Sequence, residues 1–276
     1  MLRLITKFLS LLLLAGLASG QDTAQTQRDL IDAQIAKFAA ETGSAPRVYF
    51  LGFAGYGEER VFAEEIKLAA RNVGANYGSA QRSVLLINDR RDFTTYPFAS
   101  ASSLRYALNA IARVMNKDED VLFLALSSHG SRDATIAVSN EGKEPQVLGA
   151  VTLADLLAES GIRWKVVVVS ACFSGAFVRP LADDHTIVLT AASKHRTSFG
   201  CSDTRELTYF GEAFYRDAMP GAPQLRAAFD TAKRTIRLRE KEEDVRASQP
   251  QAYFGPLMEE KLRGIEQARG VTPPRP

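Results

Sequence analysis

Two uninterrupted apolar runs, "VLFLAL" at 121–126 and "VVVV" at 166–169, constrain this chain more than any other feature. A strand with one wet face alternates apolar and polar residues. A short continuous apolar run marks a strand covered on both faces, and such strands belong to parallel sheets with helices above and below. The neighbouring segments agree. Strand-like stretches at 46–55, 83–88, 120–128, 165–171 and 186–192 alternate with helical periods at 58–73, 100–115, 152–160, about 208–218 and 223–246. Serines at the start of 100–115 and Thr152 supply candidate helix caps. The expected fold class is α/β, a mostly parallel central sheet flanked by helices, with a small hairpin at 130–150.

The chain ends read differently. "MLRLITKFLSLLLLAGLASG" has Arg3 and Lys7, an apolar run too short to span a membrane, and small residues before Gly20, which is the layout of a secretory signal peptide over 1–20. Cleavage there predicts an exported protein, periplasmic or secreted, with no membrane attachment; an uncleaved anchor is the competing reading. Residues 21–45 are expected to form a helical extension with an amphipathic helix at 29–41, 46–250 one domain, and 251–276 a partly disordered tail. Lys plus Arg number 34 against 32 Asp plus Glu, with no basic block or stripe, which argues against a nucleic-acid partner. The oligomeric state leaves no signal in the sequence.

In parallel sheets, ligands sit outside the carboxyl ends of the strands. Two of these ends carry reactive side chains: "LFLALSSHGSRD" reaches His129-Gly130, and "KVVVVSACFSG" reaches Cys172. If the two strands are neighbours, imidazole and thiol emerge together. A free thiol is mostly protonated at neutral pH, and a histidine beside it supplies the missing base and then the acid for a departing amine. Gly130, lacking a side chain, lets its N–H approach an oxyanion together with the N–H of Cys172. Spacing alone leaves the bland readings open. A cysteine after a buried strand is more often a small core residue, and a histidine at a strand end more often a hydrogen-bonded surface group.

The flanking residues add a resemblance. An apolar strand into "S-H-G-S", then about forty residues later an apolar strand into "A-C-x-S-G", followed by "VLTAASKHRTSFGCSDTRELTYFGEAFY" at 188–215, resembles the legumain-like cysteine peptidases (peptidase family C13), relatives of the caspases, in a bacterial-type secreted form. It covers roughly residues 46–218. The resemblance implies a caspase-like three-layer sandwich and a cysteine endopeptidase acting on peptide or protein substrates through an acyl-enzyme. It assigns Cys172 and His129 as the catalytic dyad, with Gly130 at the oxyanion position. It also implies a pocket for asparagine, with Arg60 as donor and Glu212 as acceptor, and with Thr197, Ser198 and Phe173 alongside. Two positions depart from the family: Phe173 replaces an acidic residue after the nucleophile, and Val61 replaces a histidine after the pocket arginine.

A transamidase or peptide ligase would use the same acyl-enzyme, and a catalytically silent binding domain would be expected to have lost Cys172 or His129. No cofactor or metal is expected: Cys201, His185 and His195 show no zinc-like spacing. Cys201 reads as a structural thiol, His185 as solvated, and Ser174-Gly175 as turn residues. The charged run at 237–246 reads as a solvated helix face.

Overall fold

The computed structural model describes residues 24–38 and 45–270, apart from 93, 141, 203 and 223. The segment read as a signal peptide lies outside the described residues. The strands are β1 (Val48–Ala54), β2 (Ser83–Ile87), β3 (Val121–Ser127), β4 (Thr135–Val138), β5 (Gln146–Gly149), β6 (Trp164–Ser170), β7 (Thr186–Thr190) and β8 (Gln251–Phe254). The helices are α1 (24–35), α2 (Arg60–Tyr77), α3 (Ala101–Val114), α4 (Ala150–Ser160), α5 (Val178–Leu181), α6 (Tyr209–Gly211), α7 (Leu225–Glu242) and α8 (Pro256–Ala268). A π-helical turn, Glu212–Ala218, continues α6.

One six-stranded sheet runs in the order β2-β1-β3-β6-β7-β8, with β8 antiparallel to β7 and the rest parallel. The apolar runs are buried on both faces, as their composition requires. Phe50, Phe123, Val166, Val168 and Leu189 face the layer built from α2, α7 and α8, while Leu51, Leu122, Leu124, Val167 and Val169 face the layer with α3 and α4. Each fully buried aliphatic or aromatic side chain contributes about 1.5–3 kcal/mol, so this three-layer arrangement is the low-energy way to cover such strands. The hairpin expected at 130–150 is β4 with β5.

Helix α3 starts at a working cap, with Ser100 Oγ accepting from the Ser103 N–H. The cap expected at Thr152 is not used. Helix α4 begins two residues earlier, behind Gly149, because β5 runs straight into it and the Ala150 N–H is already taken by the Ala134 carbonyl at 2.9 Å. Helix α1 also starts earlier than its apolar spacing suggested. Its buried Ile31 packs on the α3 side, and Gln34 exchanges two hydrogen bonds with the backbone of Leu85, one through its Nε2 at 3.2 Å and one through its Oε1 at 2.9 Å. The amide acts as a substitute strand partner and closes the exposed edge of β2.

Residues 251–268, expected to lie in a partly disordered tail, form β8 and α8. The reason is visible only in three dimensions: the last apolar residues, Met258, Leu262 and Ile265, complete the layer over α2 and are buried there. Replacing Met258 by Ala should lower the free energy of unfolding by about 2–5 kcal/mol in urea titration; an unchanged midpoint would mean that α8 is not part of the core.

Candidate active site

Strands β3 and β6 pair in parallel from end to end, with Ser127 beside Ser170 at the carboxyl edge. Continuing that register by two residues sets His129 abreast of Cys172. The Ser128 N–H carries the pairing one step beyond the strand, donating to the Ser170 carbonyl at 3.2 Å. Gly130 then lies directly against the Cys172 backbone: a Cβ there would come within 2.0 Å of the Cys172 carbonyl oxygen. Gly130 also bridges to Ile136 of β4, but the hydrogen bonds of that bridge are made by the His129 carbonyl and the Ser131 N–H. The bridge therefore leaves the Gly130 N–H unused.

The imidazole of His129 is held on three sides. Tyr56 and Phe62 pack edge-on against it, with ring centroids at 4.7 and 4.9 Å. Nε2 faces Glu59 Oε1 at 3.2 Å. With a carboxylate on Nε2, that nitrogen carries the proton, and Nδ1 keeps the lone pair that a base needs.

Cys172 is half-buried, and its Sγ lies 3.3 Å from the Ser198 N–H and 3.5 Å from the Ser198 carbonyl. Burial pushes the thiol up, while the Ser198 N–H works in the opposite direction. The resting group is therefore the neutral thiol, and a base must create the thiolate. The next residue, Phe173, adopts a left-handed conformation at φ 56°, donates its N–H to the Arg196 carbonyl at 2.8 Å, and holds its ring 5.0 Å from the Arg132 guanidinium. Such a backbone angle is uncommon outside glycine and aims the chain sharply away from the strand. Ser174 and Gly175, expected as turn and helix-start residues, open a short 3₁₀ helix, Ser174–Phe177. Ser174 Oγ accepts from the Ala192 N–H at 3.1 Å, and a Cβ on Gly175 would come within 2.6 Å of the Lys194 nitrogen.

The residues expected to line a specificity pocket carry partners of their own. Arg60, the first residue of α2, is 59 % exposed and pairs with Glu64 at 3.3 Å. Ser198 reaches the thiol through its backbone, and Thr197 is exposed beside it. Glu212 is held by three arginines. Its Oε1 takes Arg216 at 2.5 Å, and its Oε2 takes Arg205 at 2.5 Å and Arg239 at 2.6 Å. Burial alone would raise this carboxyl, but the guanidiniums of Arg239 and Arg216 outweigh it and hold the group at about 2. Each of the two side chains expected to contact a carboxamide thus has a partner of its own, Arg60 on Glu64 and Glu212 on three arginines.

Sequence reasoning missed Glu59, Tyr56 and Phe62. They follow β1, which neighbours β3 in the sheet, and the turn "GYGEERVF" was in view; only the strand order ties it to His129. Cys201 is a free thiol pushed well up by burial, with the charges of Cys172, Glu65 and Glu59 adding to the effect. His185 packs on Trp164 at 4.8 Å and His195 is exposed. Among the described residues no group of three or more His, Cys, Asp or Glu side chains is placed to hold a metal ion.

Comparison with known proteins adds to this picture. A family model described as "Peptidase C13 family" matches residues 104–260, more than half of the chain and a span that contains both His129 and Cys172. The chain is similar to the crystal structure of caspase-1 from Spodoptera frugiperda, with a TM-score of 0.53 at 10% sequence identity, covering 78% of this chain and 88% of that one. At that identity the likeness speaks for the fold, which is caspase-like. No curated protein matches the sequence.

Two outcomes are expected. Gly130→Ala should destabilise the protein by about 1–3 kcal/mol and slow alkylation of Cys172, because the added methyl has to displace the Cys172 carbonyl; equal alkylation rates would show that the two backbones are not in contact. Glu212 has a depressed carboxyl, so its contribution is present above pH 4.5 and is lost as pH falls through about 2. Glu212→Gln should therefore cost on the order of 2–3 kcal/mol at pH 7, shrinking toward zero near pH 2, in denaturant titrations at the two pH values.

Proposed function

The chain belongs to the peptidase C13 family, and we propose that it is a cysteine endopeptidase in which Cys172 is the nucleophile, His129 the acid and base, and Glu59 the group that orients His129. The observation that carries this reading is the β3–β6 register, which sets His129 abreast of Cys172 while Gly130 touches the nucleophile's carbonyl. In the first step Nδ1 of His129 takes the Sγ proton and the thiolate attacks the scissile carbonyl carbon. The oxyanion that forms is met by the N–H groups of Gly130 and Cys172, donors already fixed before substrate arrives. Glu59 stabilises the imidazolium through Nε2. The imidazolium then protonates the departing amine, the C–N bond breaks, and a thioester remains on Cys172. A water gives its proton back to Nδ1, its oxygen displaces the thiolate, and the acid product leaves as the thiol is restored.

Specificity follows from what lines the site. Arg60 adjoins Glu59 at the start of α2 and is exposed enough to donate to a substrate carbonyl or carboxylate oxygen. Glu212 is neutralised by its guanidinium partners, so the repulsion that would exclude an aspartate substrate is absent. The proposed preference is for asparagine or aspartate before the scissile bond. The same proposal puts this activity outside the cytoplasm, a reading supported by the leader-like sequence of residues 1–20.

The test is a set of peptides differing only before the scissile bond. Cys172→Ala should abolish turnover, and His129→Ala should reduce kcat by about 10²–10⁴-fold. Turnover by Cys172→Ala equal to wild type would end the peptidase reading. Asparagine and aspartate peptides should differ in kcat/KM by less than about tenfold, a difference of about 1.4 kcal/mol in transition-state binding. A larger gap that closes in Glu212→Gln would mean that Glu212 reaches the substrate after all.

A further inference from the structure

Glu65 is the fully buried carboxyl of α2, a turn and a half beyond Glu59 and Arg60, and the chemistry described above makes no use of it. It sits where four elements meet. Thr208 Oγ1, which caps α6 by accepting from the Gly211 N–H at 2.9 Å, lies 2.5 Å from Glu65 Oε2. The Ser170 hydroxyl, at the end of the strand that carries Cys172, is 3.4 Å from that same Thr208 oxygen. Ser127, its register partner at the end of β3, is buried at the same level, and among the described residues neither its hydroxyl nor Glu65 Oε1 has a hydrogen-bond partner. Room for this carboxyl is kept by Gly211, where a Cβ would come within 2.4 Å of Glu65 Oε2. From Thr208 the connection returns to the nucleophile: the Tyr209 N–H donates to the Phe199 carbonyl at 3.0 Å, and Ser198, next to Phe199, holds the Cys172 thiol.

We propose, on the basis of the peptidase reading, that Glu65 is a positioning residue for the Cys172–His129 pair: a carboxyl sealed beneath the site that holds Thr208, and through it the 198–211 segment, against the nucleophile. The group acts as the neutral acid. It is fully buried, Thr208 donates to it through its hydroxyl and its backbone N–H, and among the described residues no cation is placed against it, so ionisation leaves a buried charge without a counter-ion. Burial pushes it up to about 7, which puts the loss of the neutral form inside the working range of a histidine-assisted thiol. The titratable groups that sense its charge are Cys201 of the 198–211 segment and Tyr215 of the π-helical turn, while β3 and β6 present the hydroxyls of Ser127 and Ser170.

The experiment compares wild type, Glu65→Gln and Glu65→Ala across pH 5–9, reading peptide hydrolysis, alkylation of Cys172 by iodoacetamide followed by mass spectrometry, and thermal unfolding. Glu65→Gln keeps the neutral shape, so its kcat at pH 6 should stay within about threefold of wild type while its alkaline limb moves up by about one pH unit. Glu65→Ala should lose about tenfold or more in kcat with KM within about threefold, because substrate binding is untouched. Overlapping alkaline limbs for wild type and Glu65→Gln would overturn the proposal, as would wild-type kcat in Glu65→Ala or a folded but inactive Glu65→Gln. Should Glu65→Ala fail to fold, Glu65→Gln decides alone. A wild-type protein that hydrolyses no peptide ends the peptidase reading; the alkylation profiles still test Glu65, and identical profiles in wild type and Glu65→Gln overturn its role.

Discussion

The parallel pairing of β3 with β6 is the constraint from which the site descends. Two strands of equal length, hydrogen-bonded from Val121–Trp164 to Ser127–Ser170, deliver their following residues to one edge at one level. Strands buried on both faces specify their register weakly, because a one-residue slip exchanges one apolar side chain for another. The polar ends do the specifying here. At the amino ends Asp120 binds the Arg47 N–H at 2.9 Å, and the Lys165 ammonium donates to the Arg163 carbonyl at 2.8 Å. At the carboxyl end of β6 the Ser170 hydroxyl meets Thr208, which in turn binds the buried Glu65. A slipped strand would bury these groups against hydrocarbon without partners, which costs more than a misfit between aliphatic side chains.

Around that edge the charges are separated by environment. Glu59, partly exposed, faces an imidazole; Glu65, sealed, stays neutral into the physiological range; Glu212 is drawn far down by guanidiniums. The thiol itself rests neutral against Ser198. A site built this way does not store a thiolate. It keeps a neutral thiol at the strand edge, and under the proposed mechanism the reactive species forms only as the proton moves to His129. Such an arrangement limits unwanted oxidation of the sulfur, since oxidation tracks the thiolate fraction.

Much of this could be read from the residues. Continuous apolar runs predicted the parallel sheet, and the sheet predicted that His129 and Cys172 leave it at the same edge, because parallel strands share a direction. Ser174-Gly175 after Cys172 read correctly as a helix start. What could not be read was contact between segments far apart in sequence. The acidic residue on the imidazole comes from the end of β1, and nothing in "GYGEERVF" says that β1 lies beside β3. The ion cluster on Glu212 joins residues from 205 to 239, and a carboxylate looks equally free in a sequence whether it meets solvent or three arginines. The last helix escaped notice for a related reason. Its apolar period is short and pays off only against a surface that α2 and α7 create.

Helix α2 gathers these separate facts into one element. The residue that precedes it, Glu59, faces His129; Glu65 reaches Thr208 from beneath; Asn72 and Asn76 bind the carbonyls of Tyr215 and Met219, groups that the π-helical turn and the stretch after it leave exposed. The wider π turn costs regular i to i−4 bonding, and the asparagine amides compensate for part of that loss. One helix therefore contacts the base and the segment that flanks the thiol. A displacement of α2 along its axis would disturb Glu59 at His129 and Glu65 at Thr208 together. The sheet sets which residues meet, and α2 sets how firmly they are held, so the chemistry at the edge is tied to packing on the helical face beneath it.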